Sequence, residues 1–239
     1  MKLNLSQFDA AIVDLDGTMV DTLGDFVVAL NLMLGDLSMP AVDRPTVERL
    51  VGKGSEHLIK SVLAHMEPNE LAINIIATNS SLSKSDIALD GARYDAAWAS
   101  YQRHYAAING QHADVFPGVV EGLEMLRGRA LKLACLTNKP TVFALDLLKT
   151  KGLDRFFELT FGGDAFERKK PDPLPLLKTC EALGTMPGRT LMIGDSSNDA
   201  QAARAAGCPV VLVTYGYNHG EPVETVDANG FIDSLTELT

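Results

Sequence analysis

No run of this sequence approaches the roughly 20 consecutive apolar residues of a membrane-spanning helix, so nothing in it asks for a lipid environment. Asp9 and Asp14 interrupt the apolar stretch near the start, which disqualifies it as a secretory signal. Cysteine is scarce. Cys135, Cys180 and Cys208 are odd in number and show no CxxC spacing, against both a disulfide framework and a zinc site. A reducing, cytoplasmic setting is the expectation. The five histidines have no metal-ligand spacing either. Positive charge is short as well: 21 Lys and Arg stand against 31 Asp and Glu, a net charge of -10. That balance argues against nucleic acid or anionic membrane as partner. A protein so acidic can handle an anionic substrate only by concentrating its cations locally, so basic residues beside a candidate site carry extra information.

What is present is enough apolar character for a proper core. At 46% hydrophobic over 239 residues, the chain suits one large domain or a domain carrying an inserted smaller one. Residues 8–18 and 117–239 alternate short apolar runs with helical patterns. Strands are expected at 8–13, 131–136, 190–193 and 209–213, with 157–161 a weaker candidate. Helices are expected at 119–129, 141–151, 173–183 and 199–206, the last three stopping at Gly152, Gly184 and Gly207. Such alternation predicts a parallel sheet covered on both faces. Residues 20–113 differ. They show no convincing strand, helical patterns at 23–34, 55–66, 70–78 and 91–108, and a Ser-rich loop at 79–86. The expected organisation is an α/β, Rossmann-like core from residues 1–19 and 114–239, with an α-helical cap inserted at 20–113.

Asp14-Leu15-Asp16-Gly17-Thr18 closes the first strand. Continued as a strand, it would hold two like charges on one face, which is destabilising without a counter-ion. Turned at Gly17, it aims both acids out of the strand's carboxyl end, where open α/β sheets bind ligands. Alone, the segment also reads as an Asp-Gly turn with solvated acids. The later strands sharpen the choice. Strand 131–136 runs into Thr137-Asn138, strand 190–193 into Gly194-Asp195-Ser196-Ser197-Asn198-Asp199, and Lys169-Lys170-Pro171 lies between. A parallel sheet brings these ends to one edge.

That set suits phosphoryl transfer, where positioning and charge neutralisation do most of the catalysis. Asp14 reads as the nucleophile and Asp16 as general acid and base. Thr137, Asn138 and Lys170 read as phosphate-binding. Asp14, Asp16 through its main-chain carbonyl, and Asp195 read as ligands of Mg²⁺, a hard cation that takes oxygen donors. Asp199 is expected to fix Lys170 rather than bind metal. The expected partner is a small anionic phosphomonoester.

These residues, in this order, resemble the four motifs of the haloacid dehalogenase superfamily of phosphohydrolases. The resemblance spans the whole core and puts residues 20–113 where that family carries a helical cap. Members that attack carbon lack the second acid of the first motif, so Asp16 implies a phosphatase. Thr137-Asn138-Lys139-Pro140-Thr141, Phe161-Gly162-Gly163-Asp164, Lys169-Lys170-Pro171-Asp172-Pro173 and residues 214–220 narrow the likeness to the bacterial phosphoglycolate phosphatase branch. It implies Mg²⁺-dependent release of phosphate from 2-phosphoglycolate. Gly52-Lys53-Gly54 falls where that branch puts a cap loop over the site, making Lys53, and His57 just behind it, candidates to meet the substrate. Other phosphatase activities, on pyrophosphate or a sugar phosphate, stay open. So do a β-phosphoglucomutase-like phosphomutase and a non-catalytic module that kept the fold. Tyr215, Tyr217 and Phe231 read as packing around the last strand.

Overall fold

The computed structural model describes residues 4–66 and 84–238, with the side chains of 84–90 left aside. Strand β1 (Ala10–Val13) is wholly buried. Its register sets the rest: Val13 stands level with Cys135 of β4 (Lys132–Leu136) and with Ile193 of β6 (Thr190–Gly194). With β5 (Leu159–Phe161), β7 (Val210–Val213) and β8 (Gly230–Ile232) these make a six-stranded parallel sheet, ordered β5-β4-β1-β6-β7-β8. Side chains alternate across the strands. Ala11 and Val13 pack with helices α5 (Val119–Gly128) and α6 (Thr141–Thr150). Ile12 packs on the other face with α7 (Leu174–Leu183) and α8 (Ser197–Ala206). Helices cover both faces, as the apolar runs predict, and Gly184 and Gly207 end α7 and α8 in the left-handed conformation. Chain order reverses beside β1, the switch point where a crevice opens at the carboxyl edge.

Between β1 and α5 the chain leaves the sheet and returns. Strand β2 (Val20–Asp21) pairs antiparallel with β3 (Asp114–Val115), Val20 opposite Val115. This two-stranded ribbon corrects the expectation that the segment from residue 20 holds no strand. Two-residue strands are too short to show any alternation. Helices α1 (Leu23–Asp36), α2 (Arg44–Leu50), α3 (Ser55–Met66) and α4 (Lys84–Ile108) stand on the ribbon. They close around a second apolar core that includes Leu30, Met33, Ile59, Val62, Tyr101 and Tyr105. Helix α2 was not anticipated, although Asp43 caps it by accepting the Thr46 N–H at 3.0 Å, with proline in the first turn. Helix α4 reaches back to Lys84, so residues 84–86 are helical rather than loop. The helix expected at 70–78 lies outside the described residues. Strand β8, three residues at the sheet edge, also went unforeseen.

Asp25 of α1 fixes the return crossing. Fully buried, it accepts the N–H of Gly110 at 2.6 Å and of His112 at 2.7 Å. Asp25→Ala would leave the buried Gly110 N–H and the partly buried His112 N–H without partners, at about 1–3 kcal/mol for the buried one and less for the other. The expected result is a loss of about 3 kcal/mol in urea unfolding, with faster hydrogen exchange at 109–116. An unchanged midpoint would show the crossing is held by other contacts.

Among the described residues, no helix is long and apolar enough to cross a membrane. All three cysteines are buried and free.

Candidate active site

Asp14 stands level with Leu136 and Gly194, the last residues of β4 and β6, so Thr137 and Asp195 leave the sheet one residue beyond it. Asp14 is almost fully buried, and its N–H donates to Ile193 O at 2.9 Å. Lys170 Nζ lies 2.9 Å from Asp14 Oδ1 and 2.7 Å from Asp199 Oδ1, and donates to Leu136 O at 2.8 Å. Asp199 closes a capping box at the start of α8, its other oxygen accepting the N–H of Asp195 and of Ser196 at 3.2 Å each. One carboxylate thus meets both the start of the helix and the ammonium. Asn138 grips the lysine's main chain, giving Nδ2–H to Lys170 O at 2.9 Å and accepting Lys170 N–H at 3.1 Å. Thr137 is buried, and its hydroxyl accepts the Lys139 N–H at 3.2 Å.

Asp195 accepts the Tyr217 N–H at 2.7 Å and the Thr18 hydroxyl at 3.3 Å. Gly17 turns the chain at φ +82°, and a Cβ there would run into Asp195 Oδ2. Only glycine brings the first motif this close to the last acid. Burial pushes the Asp14 carboxyl up to about 7, with neighbouring Asp199 and Asp16 adding to the rise and Lys170 opposing it. Burial, then Asp199 and Asp14, push Asp195 well up too. Burial works against the Lys170 ammonium, but Asp14 and Asp199 outweigh it and hold the lysine charged. Oxygens of Asp14, Asp195 and Asp199 lie within 4.8 Å of one another, a buried acid cluster able to hold a cation.

Asp16 pairs with Lys139, Nζ to Oδ1 at 2.9 Å. Sequence reasoning gave this lysine no role, although it stands inside a motif already singled out. Buried to 2% exposure of its side chain, it also donates to the Tyr105 hydroxyl at 2.5 Å.

These groups surround a cavity of about 30 Å³, roofed from the helical segment by Phe26, Val51, Gly52, Gly54, Ser55 and Leu58. Its volume suits about two waters. The roof is latched: Gly52 O accepts from Asn138 Nδ2 at 3.2 Å and Asn198 Nδ2 at 3.3 Å, and Asn198 contacts His219 at 3.2 Å. Neither Lys53 nor His57 lines the cavity, and both are exposed. Gly52 and Gly54, with φ of +109° and +87°, reverse the chain so that their backbones face inward around Lys53. From the helical segment it is Ser55 and the backbone of the 52–54 loop that line the cavity, while the Lys53 and His57 side chains stand outside it. Tyr217 does more than pack. It lines the cavity, holds Asp195 and bonds Asp21 of β2 through its hydroxyl. Tyr215 does pack, ring against Phe116 at 4.4 Å.

A buried aspartate is thus backed by a lysine and stands near a second acid under a helical roof. The model of the haloacid dehalogenase-like hydrolase family matches residues 11–213, and the chain belongs to that family. It is 42% identical over 228 residues to the phosphoglycolate phosphatase of Thiobacillus denitrificans, covering 95% of this chain and 92% of that one. It is 40% identical to the plasmid phosphoglycolate phosphatase of Cupriavidus necator, covering 96% and 90%. In three dimensions it resembles a predicted phosphoglycolate phosphatase from Haemophilus somnus 129PT, with a TM-score of 0.85 and 28% identity over 98% of both chains.

Proposed function

We propose that this protein hydrolyses 2-phosphoglycolate to glycolate and phosphate through an aspartyl-phosphate on Asp14. The observation that carries the chemistry is the buried Asp14–Lys170–Asp199 chain opposite Asp16. The substrate follows the relatives that share about two-fifths of its residues over nearly their whole length.

A cation fits the residues present. Four carboxylates, Asp14, Asp16, Asp195 and Asp199, face two ammonium groups, Lys139 and Lys170, around the cavity. Burial first, and neighbouring carboxylates after it, push Asp14 and Asp195 up, and a cation between them would favour their ionised forms. All-oxygen donors suit Mg²⁺, which the carboxylates of Asp14 and Asp195 and the Asp16 carbonyl would hold. When bound it would neutralise charge between the nucleophile and the phosphoryl oxygens.

Asp14 attacks phosphorus and forms the acyl phosphate while the bond to the glycolate oxygen breaks. Asp16 gives that oxygen its proton. Asp16 then takes a proton from water, whose oxygen attacks the phosphorus, releasing phosphate and regenerating Asp14. Lys170, the Thr137 hydroxyl and main-chain N–H groups hold the phosphoryl oxygens. In this reading residues 1–19 and 114–239 are the catalytic core and 20–113 a cap. The Gly52 carbonyl ties the roof to Asn138 and Asn198, so the cap lifts to admit substrate.

A mutase reading is disfavoured locally. The phosphomutase branch places an acidic pair in its last motif, whereas here Gly194 precedes Asp195, and a Cβ at 194 would collide with the Asp199 carboxylate. The test is a substrate panel with Mg²⁺ and with EDTA. Turnover of 2-phosphoglycolate is expected to exceed that of pyrophosphate, sugar phosphates and nucleotides, to fall at least about 10²-fold on chelation, and to return with Mg²⁺. A preference for pyrophosphate, or turnover indifferent to EDTA, would overturn the reading.

A further inference from the structure

Of the two ammonium groups around the cavity, Lys170 is enclosed by Asp14 and Asp199 at the phosphoryl end. Lys139 faces the cap. Its Nζ lies 4.8 Å from the ring centroids of both Phe26 and Tyr105. Its anionic partner is Asp16, whose side chain remains 12% exposed. A buried ammonium is costly unless fully paired, and one carboxylate oxygen with one phenol oxygen is thin pairing. The surroundings are also rich in donors. Tyr101, stacked on Tyr105 at 5.3 Å, is fully buried, its hydroxyl beside Ser55 but without a hydrogen bond of ordinary length. Buried polar atoms are rarely left so. Neither phenol lines the cavity while the roof is latched. Burial pushes both phenols well above their ordinary range, so each keeps its proton at neutral pH. The missing species is an acceptor with negative charge.

We propose that Lys139, with the hydroxyls of Tyr101 and Tyr105, forms a subsite that takes the carboxylate of the leaving group. The proposal rests on the phosphoglycolate reading and deepens it: the substrate class is a phosphorylated 2-hydroxy acid. Asp16 occupies the ammonium while the cap is latched. The substrate carboxylate replaces it, which frees Asp16 to face the bridging oxygen. Because Asp16 and Lys139 are adjacent, the ester oxygen and the carboxylate they meet must stand on neighbouring carbons. An acid one carbon longer carries the same charge in the wrong place.

The experiment compares 2-phosphoglycolate with 2-hydroxyethyl phosphate, of equal length but without the carboxylate, on the Mg²⁺-loaded protein. Wild type is expected to favour the acid by about 10²-fold or more in kcat/KM. Lys139→Met should lower kcat/KM for 2-phosphoglycolate by about 10²-fold, chiefly through KM, and bring the two substrates within about threefold. Lys139→Arg should restore part of the discrimination. Tyr101→Phe, which keeps the ring and its packing, should raise KM for the acid about three- to tenfold and leave the alcohol phosphate unaffected. If Lys139 only anchored Asp16, kcat would drop alike for both substrates and the preference would survive in Lys139→Met; that result overturns the subsite while leaving the phosphoglycolate reading intact. Wild-type indifference between the two substrates would instead remove that reading and the subsite with it. Should Lys139→Met lose its native circular dichroism, an unchanged KM in Tyr101→Phe overturns the proposal by itself.

Discussion

Asp14→Asn is expected to lower turnover of 2-phosphoglycolate by at least about 10⁴-fold, since removing a nucleophile eliminates the covalent route rather than weakening it. The fold should not suffer. Asparagine is close to isosteric, and Lys170 keeps its bonds to Asp199 Oδ1 and Leu136 O. The lost carboxylate is one that burial and its acidic neighbours already disfavour in the ionised form, as its upward push to about 7 shows. Melting in EDTA should therefore be unchanged or slightly higher than wild type. Phosphorus-labelled substrate, quenched in acid, should leave label on wild-type protein and none on the variant. Substantial residual turnover in a folded variant would remove the covalent step and leave direct attack by water.

Much of this site is legible in the sequence because it is written at strand ends. Asp14, Thr137 and Asp195 each follow an apolar run, and parallel register then gathers them: Val13 level with Cys135 and Ile193 sets Asp14 one residue short of Thr137 and Asp195. Asp199 is legible for a related reason, since a capping box ties it to the start of its own helix. The contacts of Lys139 resist such reading: it meets Asp16 across 123 positions and Tyr105 across 34, and no periodicity announces either pair. Lys53 rests on resemblance alone: positive φ angles at Gly52 and Gly54 shape the loop, both glycines line the cavity, and the Lys53 side chain is exposed. The β2–β3 ribbon is invisible because two residues cannot display a period of two. What differs is that the core acids are each announced by their own strand, whereas Lys139 and its partners are not.

Asp16→Asn separates the two proton transfers assigned to one carboxyl. Asparagine can still accept from Lys139 Nζ, now 2.9 Å from Asp16 Oδ1, and the main-chain carbonyl proposed as a metal ligand is untouched. Metal affinity should change little. With 2-phosphoglycolate the leaving group is a strongly basic alkoxide that needs a proton as it departs, so phosphorylation of Asp14 should slow by about 10²–10⁴-fold. With p-nitrophenyl phosphate the phenolate leaves readily without a proton, so the first step should stay near the wild-type rate. Water attack on the acyl phosphate still lacks its base. Rapid mixing should then show a burst of nitrophenol of about one equivalent, followed by slow turnover and accumulation of labelled protein. The contrast between substrates is what assigns the acid role, because a variant that merely disturbed the cavity would slow both first steps together. A burst with both substrates would confine Asp16 to the hydrolytic half-reaction and leave the leaving-group proton to another donor.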